Sequence, residues 1–139
     1  MIREVLPQVT LFTAEETARL ETAHKTFLAN MSTLSDLEYR KEMERLGVDL
    51  SWKSSQIEGN TYSLLETERL LKEKETAQGK TKEEAVMLLN HKDALDFILD
   101  CPDYLKTLSV RRLEDIHCIL TKELSVGNGI RKRRVGITG

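Results

Sequence analysis

The strongest constraint in this sequence is a pattern that recurs four times. Thr13 with Glu16, Ser35 with Glu38, Ser63 with Glu66 and Thr81 with Glu84 each place a hydroxyl three residues ahead of a carboxylate. At a helix start the hydroxyl accepts a hydrogen bond from the N3 amide, while the N3 carboxylate accepts one from the cap amide. Amides that have no partner inside the helix are thereby satisfied. A single match carries little weight, because the residue types are common. Four matches, each ahead of apolar residues at helical spacing, predict an all-α chain.

The periodicity points the same way. Ala85, Leu88, Leu89, Leu95, Ile98 and Leu99 share one face of a helix over residues 81–100, and Pro102 blocks its continuation. Val110, Leu113, Ile116, His117, Leu120 and Leu124 form a second stripe, with Ser109 as its N-cap. Tyr39, Met43, Leu46, Leu50 and Ile57 define a long amphipathic helix over residues 35–58, with a bend expected at Gly47. Helices with wide apolar stripes and short connections pack as a bundle, so the fold class is an all-α helical bundle. After Leu124 the pattern changes. Gly127, Asn128 and Gly129 are turn residues, and the chain from Ile130 to Thr138 ends in Val-Gly-Ile-Thr, which reads as a strand.

Composition narrows the class. Lys and Arg number 21 against 23 Asp and Glu, a formal net charge of −2. The longest unbroken apolar run, from Ala85 to Leu89, is far short of the roughly 20 residues that span a bilayer, so no membrane association is expected. The N-terminal stretch meets Arg3, Glu4 and Pro7 too early to be a secretory signal. Cys101 and Cys118 alone make no disulfide framework, and a reduced, cytoplasmic protein is expected. Near-neutral charge argues against nucleic acid as a partner. The run Arg131, Lys132, Arg133 and Arg134 is the exception, and on a net-acidic chain it reads more simply as a solvated turn or a charge-protected edge strand.

Other motifs yield plain readings. Gly79-Lys80-Thr81 has the ending of a phosphate-binding loop, but Lys74 stands where the first glycine belongs and helix precedes it; it reads as a loop and an N-cap. Gly127-Asn128-Gly129 has the composition of an anion nest, yet no helix pattern follows, and a turn is the simpler reading. His24, His91 and His117 do not cluster, and no His/Cys spacing matches a metal site; His117 is expected as a buried, hydrogen-bonded histidine. No catalytic residue is identified in this chain.

One segment resists a plain reading: Ser54-Ser55-Gln56-Ile57-Glu58-Gly59-Asn60. On a helix Ser54 and Glu58 lie one turn apart on one face, with Gly59 just past the end as a C-cap. A carboxylate at a helix C-terminus opposes the macrodipole and costs a few tenths of a kcal/mol unless it meets a cation. Glu58 therefore calls for a partner, such as an arginine.

Ser54-x-x-x-Glu58-Gly59 resembles the inhibitory-helix motif, [Ser/Thr]-x-x-x-Glu-[Gly/Asn], of Fic-domain proteins (filamentation induced by cAMP), in particular those whose inhibitory helix precedes the catalytic core. Leu89-Asn90-His91-x-x-Ala94-Leu95-x-Phe97-Ile98 is similar to the first core helix of that family, and Leu108-Ser109 with Ile116-His117-x-Ile119-Leu120 to the next. Gly129-Ile130-Arg131 leading into Val135-Gly136-Ile137-Thr138-Gly139 is similar to the start of the flap, a β-hairpin beside the active site. The resemblance spans residues 50–139.

The resemblance implies an enzyme that moves AMP from ATP to a hydroxyl of a target protein, with Mg²⁺ as the metal. The family's catalytic motif is His-Pro-Phe-x-[Asp/Glu]-Gly-Asn-Gly-Arg-x-x-Arg: the His is the general base, the acidic residue holds Mg²⁺, and the glycines and first Arg cradle the phosphates. This sequence does not contain that motif; Gly127-Asn128-Gly129 lacks the preceding His-Pro-Phe, and Ile130 replaces the Arg. The family's second motif Arg is the cation that pairs with the inhibitory Glu, and in some members the same Glu assists removal of AMP instead. By this resemblance Ser54, Glu58 and Gly59 are inhibitory residues, and Val135, Gly136, Ile137 and Thr138 lie where a target segment docks by strand addition.

The expected organisation is an N-terminal helical region, residues 1–60, that carries the inhibitory helix. Residues 61–139 are then the first half of the core, ending inside the flap. The chain itself is expected to be an inactive fragment of an autoinhibited AMP-transferase that binds neither ATP nor Mg²⁺ tightly. A stand-alone helical module that inhibits a Fic protein in trans, or a de-AMPylating member, is the alternative. The target protein is not specified, and an unpaired terminal strand favours association into a homo-oligomer.

Overall fold

The computed structural model describes residues 10–127 and Gly129. Six helices make up its regular structure: α1 (Ala14–Met31), α2 (Asp36–Ile57), α3 (Leu64–Glu73), α4 (Lys82–Asp100), α5 (Pro102–Leu105) and α6 (Val110–Leu120). The described chain is thus all-α. All four capping boxes form. Thr13, Ser63 and Thr81 cap α1, α3 and α4 reciprocally with Glu16, Glu66 and Glu84. Ahead of α2, the Ser35 amide donates to Glu38 Oε2 at 2.8 Å, and the Glu38 amide donates to Ser35 Oγ at 3.4 Å. These bonds hold the Glu16, Glu38 and Glu66 carboxyls below the usual carboxylate range. Ser109 caps α6, as its position predicts.

Two compact units divide the chain between Glu42 and Met43. In the first, no residue of α1 is buried, and Leu20, Phe27 and Leu28 are all exposed. Thr17, Thr22 and Thr26 each donate a hydroxyl hydrogen bond to the carbonyl four residues back, which satisfies them within the helix.

The second unit contains the core. Tyr62, Leu70, Ala85 and Leu88 form a buried cluster, with Ala77 and Leu89 packed against it. Helix α4 is central and packs against α3, α5 and α6. Asn90, buried on α4, donates from Nδ2 to the carbonyls of Leu120 and Lys122 at 3.1 and 2.7 Å, so it fastens α4 to the C-terminal end of α6. Leu120 is the last residue of α6 and Lys122 lies just past it, where carbonyls have no partner inside the helix, so a side-chain amide at this position stabilises the pair.

The stripe over residues 35–58 is only half of the story. Helix α2 forms and runs through Gly47 as one element, but the side it buries is Gly47, Val48, Ser51 and Ser55. Leu46, Leu50 and Ile57 are exposed, Ile57 by 84%. Small residues let the α4 side chain of Lys92 lie close against the α2 backbone: a Cβ at Gly47 would sit 3.3 Å from Lys92 Cδ and Cε. The apolar stripes of α4 and α6 are likewise only partly covered, with Ile98, Leu99, Val110 and Leu113 exposed. Among the described residues no helix is long and apolar enough to cross a membrane.

The segment 130–138 expected to form a strand, the basic run Arg131–Arg134, and the flap residues Val135, Gly136, Ile137 and Thr138 lie outside the described residues.

Candidate functional site

The site is the C-terminal end of α2 and the strap that follows it. The helix closes in a Schellman arrangement: the Gly59 amide donates to the Gln56 carbonyl at 3.0 Å and the Asn60 amide to the Ser55 carbonyl at 2.9 Å. Gly59 takes φ +90°, a left-handed conformation that side-chain-bearing residues rarely adopt. The expected cap is therefore in place. Ile57 is the last helical residue, so Glu58 is the C-cap itself, exposed, with its charge beside the negative end of the dipole. No cation among the described residues pairs with it. Ser54, one turn earlier, is half-buried.

Beneath this end, Ser55 Oγ lies 3.4 Å from His91 Nδ1, and that nitrogen is 2.9 Å from the Met87 carbonyl. A carbonyl only accepts, so Nδ1 carries a proton and donates it to Met87. This packing sets the α2 terminus against α4.

Sequence reading does not anticipate the strap. Asn60 is buried, donates from Nδ2 to the Glu84 carbonyl at 2.8 Å, and accepts from the Tyr62 amide at 3.0 Å. Thr61 donates from its amide and its hydroxyl to Glu84 Oε1 at 2.8 and 2.6 Å. Lys80 Nζ donates to the Thr61 carbonyl at 2.7 Å and to its hydroxyl at 3.0 Å. Trp52 Nε1 donates to the Tyr62 carbonyl at 2.9 Å, and the Tyr62 hydroxyl accepts from the Ala77 amide at 3.3 Å. Thr61 and Tyr62 are therefore held by side chains from α4, the 74–81 loop and α2, and Asn60 by its own side chain on the α4 backbone.

Glu84 has two tasks. Its Oε2 caps α4 through the Thr81 amide and hydroxyl, at 2.9 and 3.0 Å, while Oε1 holds Thr61. Hydrogen bonds from the Thr61 side chain first, then from the Thr81 and Thr61 amides, lower its pKa from 4.5 to about 2. Gly79-Lys80-Thr81 is accordingly a turn, a strap tether and an N-cap, and α3 precedes it rather than a strand.

A concavity of about 540 Å³ opens between the end of α4, α5 and α6, lined by Phe97, Cys101, Tyr104, Asp115, Cys118 and Ile119. The Tyr104 hydroxyl donates to Asp115 Oδ2 at 2.5 Å, which raises the phenol pKa above its usual value. Both cysteines are free. His117 is half-buried, and its Nδ1 has no hydrogen-bond partner among the described residues, whereas the sequence reading expects a buried, hydrogen-bonded histidine. His24 stands exposed on α1, and among the described residues no three His, Cys, Asp or Glu side chains gather as a metal would require.

Asn60, Thr61 and Glu84 thus join Glu58 and Gly59. One local signal was available, since Asn readily accepts from the amide two residues on, as it does here from Tyr62. The partnership with Glu84 has no local signal. No family model, curated protein or solved structure matches the chain.

Proposed function

We propose that this sequence carries the inhibitory helix and the first core helices of an autoinhibited Fic-family protein adenylyltransferase, with Glu58 as the inhibitory residue. The observation that carries the reading is the presentation of Glu58. A fixed Schellman turn holds an exposed carboxylate at a helix C-terminus, where it is electrostatically disfavoured and no described cation meets it. A residue kept in that position has its use in a charge partner supplied from elsewhere, and the resemblance names one: the second Arg of the catalytic motif. Pairing with Glu58 withdraws that Arg from the ATP γ-phosphate.

The groups that hold ATP and Mg²⁺ in the family belong to the catalytic motif, which this sequence lacks. What this chain contributes is a carboxylate on a backbone position fixed by α2 and its cap. The flap residues Val135 to Thr138 complete the reading as the strand that receives a target segment. The test is Glu58→Gly in the natural gene product: AMP transfer to protein rises if Glu58 inhibits, and unchanged transfer overturns the reading.

A second reading is favoured by the uncovered apolar side chains Leu46, Leu50 and Ile57 on α2, and Val110 and Leu113 on α6. An inhibitory module that acts in trans uses such faces to dock on a separate Fic core. Capture of a Fic core by this chain, lost on Glu58→Gly, distinguishes the two.

A further inference from the structure

Resting on the reading of Glu58 as inhibitory, we infer that Asn60 and Glu84 are positioning residues for Glu58, so that inhibition is set by a latch and not by the carboxylate alone. Glu58 sits between two constraints. On its N-terminal side is α2. On the other, after only Gly59, the backbone enters a segment anchored at each residue: the Asn60 side chain on the Glu84 carbonyl, Thr61 by the Glu84 and Lys80 side chains, and the Tyr62 carbonyl by Trp52. The Schellman bonds from Gly59 and Asn60 join the two sides, and the Asn60 amide that closes the turn belongs to the residue whose side chain is anchored on the Glu84 carbonyl. Release of the latch therefore frees the Asn60 amide from Ser55 and lets the last turn of α2 open. Glu58 then loses its fixed direction.

Glu84 makes the latch a shared element. One of its oxygens belongs to the N-cap of α4 and the other to Thr61. The start of the first core helix and the end of the inhibitory helix consequently depend on one carboxylate. Lys80, which tethers Thr61 from the same loop, adds a second cross-link between them. Asn60 is nine-tenths buried and both ends of its amide are used, so its role is to hold and not to bind a ligand.

The experiment has two arms. In the first, amide hydrogen exchange is followed by NMR in this chain for the wild type, Asn60→Ala, Glu84→Gln and Thr61→Ser, the last of which keeps the hydroxyl. The latch predicts exchange at Gly59 and Asn60 about tenfold faster in Asn60→Ala and Glu84→Gln, the factor expected for loss of a hydrogen bond. Thr61→Ser stays near wild type, and the amides in the middle of α4 around Leu88 keep their protection in every variant. Unchanged exchange at Gly59 and Asn60, or acceleration spread evenly over α4 as well, overturns the latch. In the second arm, AMP transfer by the natural gene product is measured for the same variants beside Glu58→Gly. The latch predicts release of inhibition by Asn60→Ala and Glu84→Gln in proportion to their exchange. Release by Glu58→Gly with none by the latch variants overturns the positioning role while the inhibitory reading stands. Faster exchange with no transfer from any variant overturns the inhibitory reading and leaves only the anchoring of the turn.

Discussion

Replacement of Glu84 by Gln tests the strap energetically, and pH makes the test specific. The carboxylate accepts four hydrogen bonds, two on each oxygen, from the amides and hydroxyls of Thr61 and Thr81. The glutamine oxygen retains one pair, but its NH₂ group faces the other two donors, so one end of the network is lost. Hydrogen bonds to charged groups contribute about 1.5–3 kcal/mol when shielded, and the exposed setting of Thr61 reduces that, so a loss of roughly 2 kcal/mol is expected at pH 7. With a urea m-value of about 1.5 kcal/mol/M, the midpoint falls by roughly 1–1.5 M. Trp52 is the only tryptophan and donates to the carbonyl of Tyr62, so its fluorescence reports unfolding at the strap itself. The sign with pH follows from the lowered pKa. A carboxyl held near 2 when folded and 4.5 when unfolded contributes its stability above 4.5 and loses it as pH falls toward 2. Wild type and Glu84→Gln should differ at pH 7 and converge as pH approaches 2. A difference that stays constant over that range, or one below about 0.5 kcal/mol at pH 7, refutes the claim that the charge of Glu84 holds the strap.

Other substitutions follow from the same geometry. Gly59→Ala forces a side chain into φ +90° with open space around it, and should cost about 1–2 kcal/mol by urea titration through backbone strain alone. Glu58→Gln should leave this chain as stable as wild type or raise stability by a few tenths of a kcal/mol, since it removes a charge opposed to the helix dipole. Ser51→Ala should be neutral or stabilising by up to about 1 kcal/mol, because the Ser51 hydroxyl is wholly buried without a partner among the described residues. Leu88→Ala, at a position with 0% exposure in the core cluster, should cost about 2–5 kcal/mol in the same assay.

The parts of the fold that were legible in the sequence are those decided within a turn of helix. Ser35 and Glu38, or Thr81 and Glu84, recognise one another over three residues, and nothing distant can easily replace that exchange. The cap at Gly59 is local in the same sense. The buried face of α2 was not legible. Periodicity identifies Leu46, Leu50 and Ile57 as neighbours on one side, but it does not say which side is covered, and the buried side runs along Gly47, Val48, Ser51 and Ser55. Of the site, Glu58 and Gly59 were readable, whereas Asn60 and Glu84 meet across 24 residues of sequence and follow from tertiary structure alone. Glu84 illustrates the difficulty: its capping role is complete in the sequence pattern and gives no hint of the second set of donors.

The central claim is that Glu58 restrains AMP transfer, and the most direct measurement is intact-mass analysis of the natural gene product after incubation with ATP and Mg²⁺. Wild type and Glu58→Gly are compared for covalent gain of AMP on themselves and on added proteins. The account predicts little adduct in the wild type and a rate in Glu58→Gly higher by a factor of about 5–150, the usual range for a coupling between two sites. Equal rates in the two proteins, or no adduct in either, would contradict it.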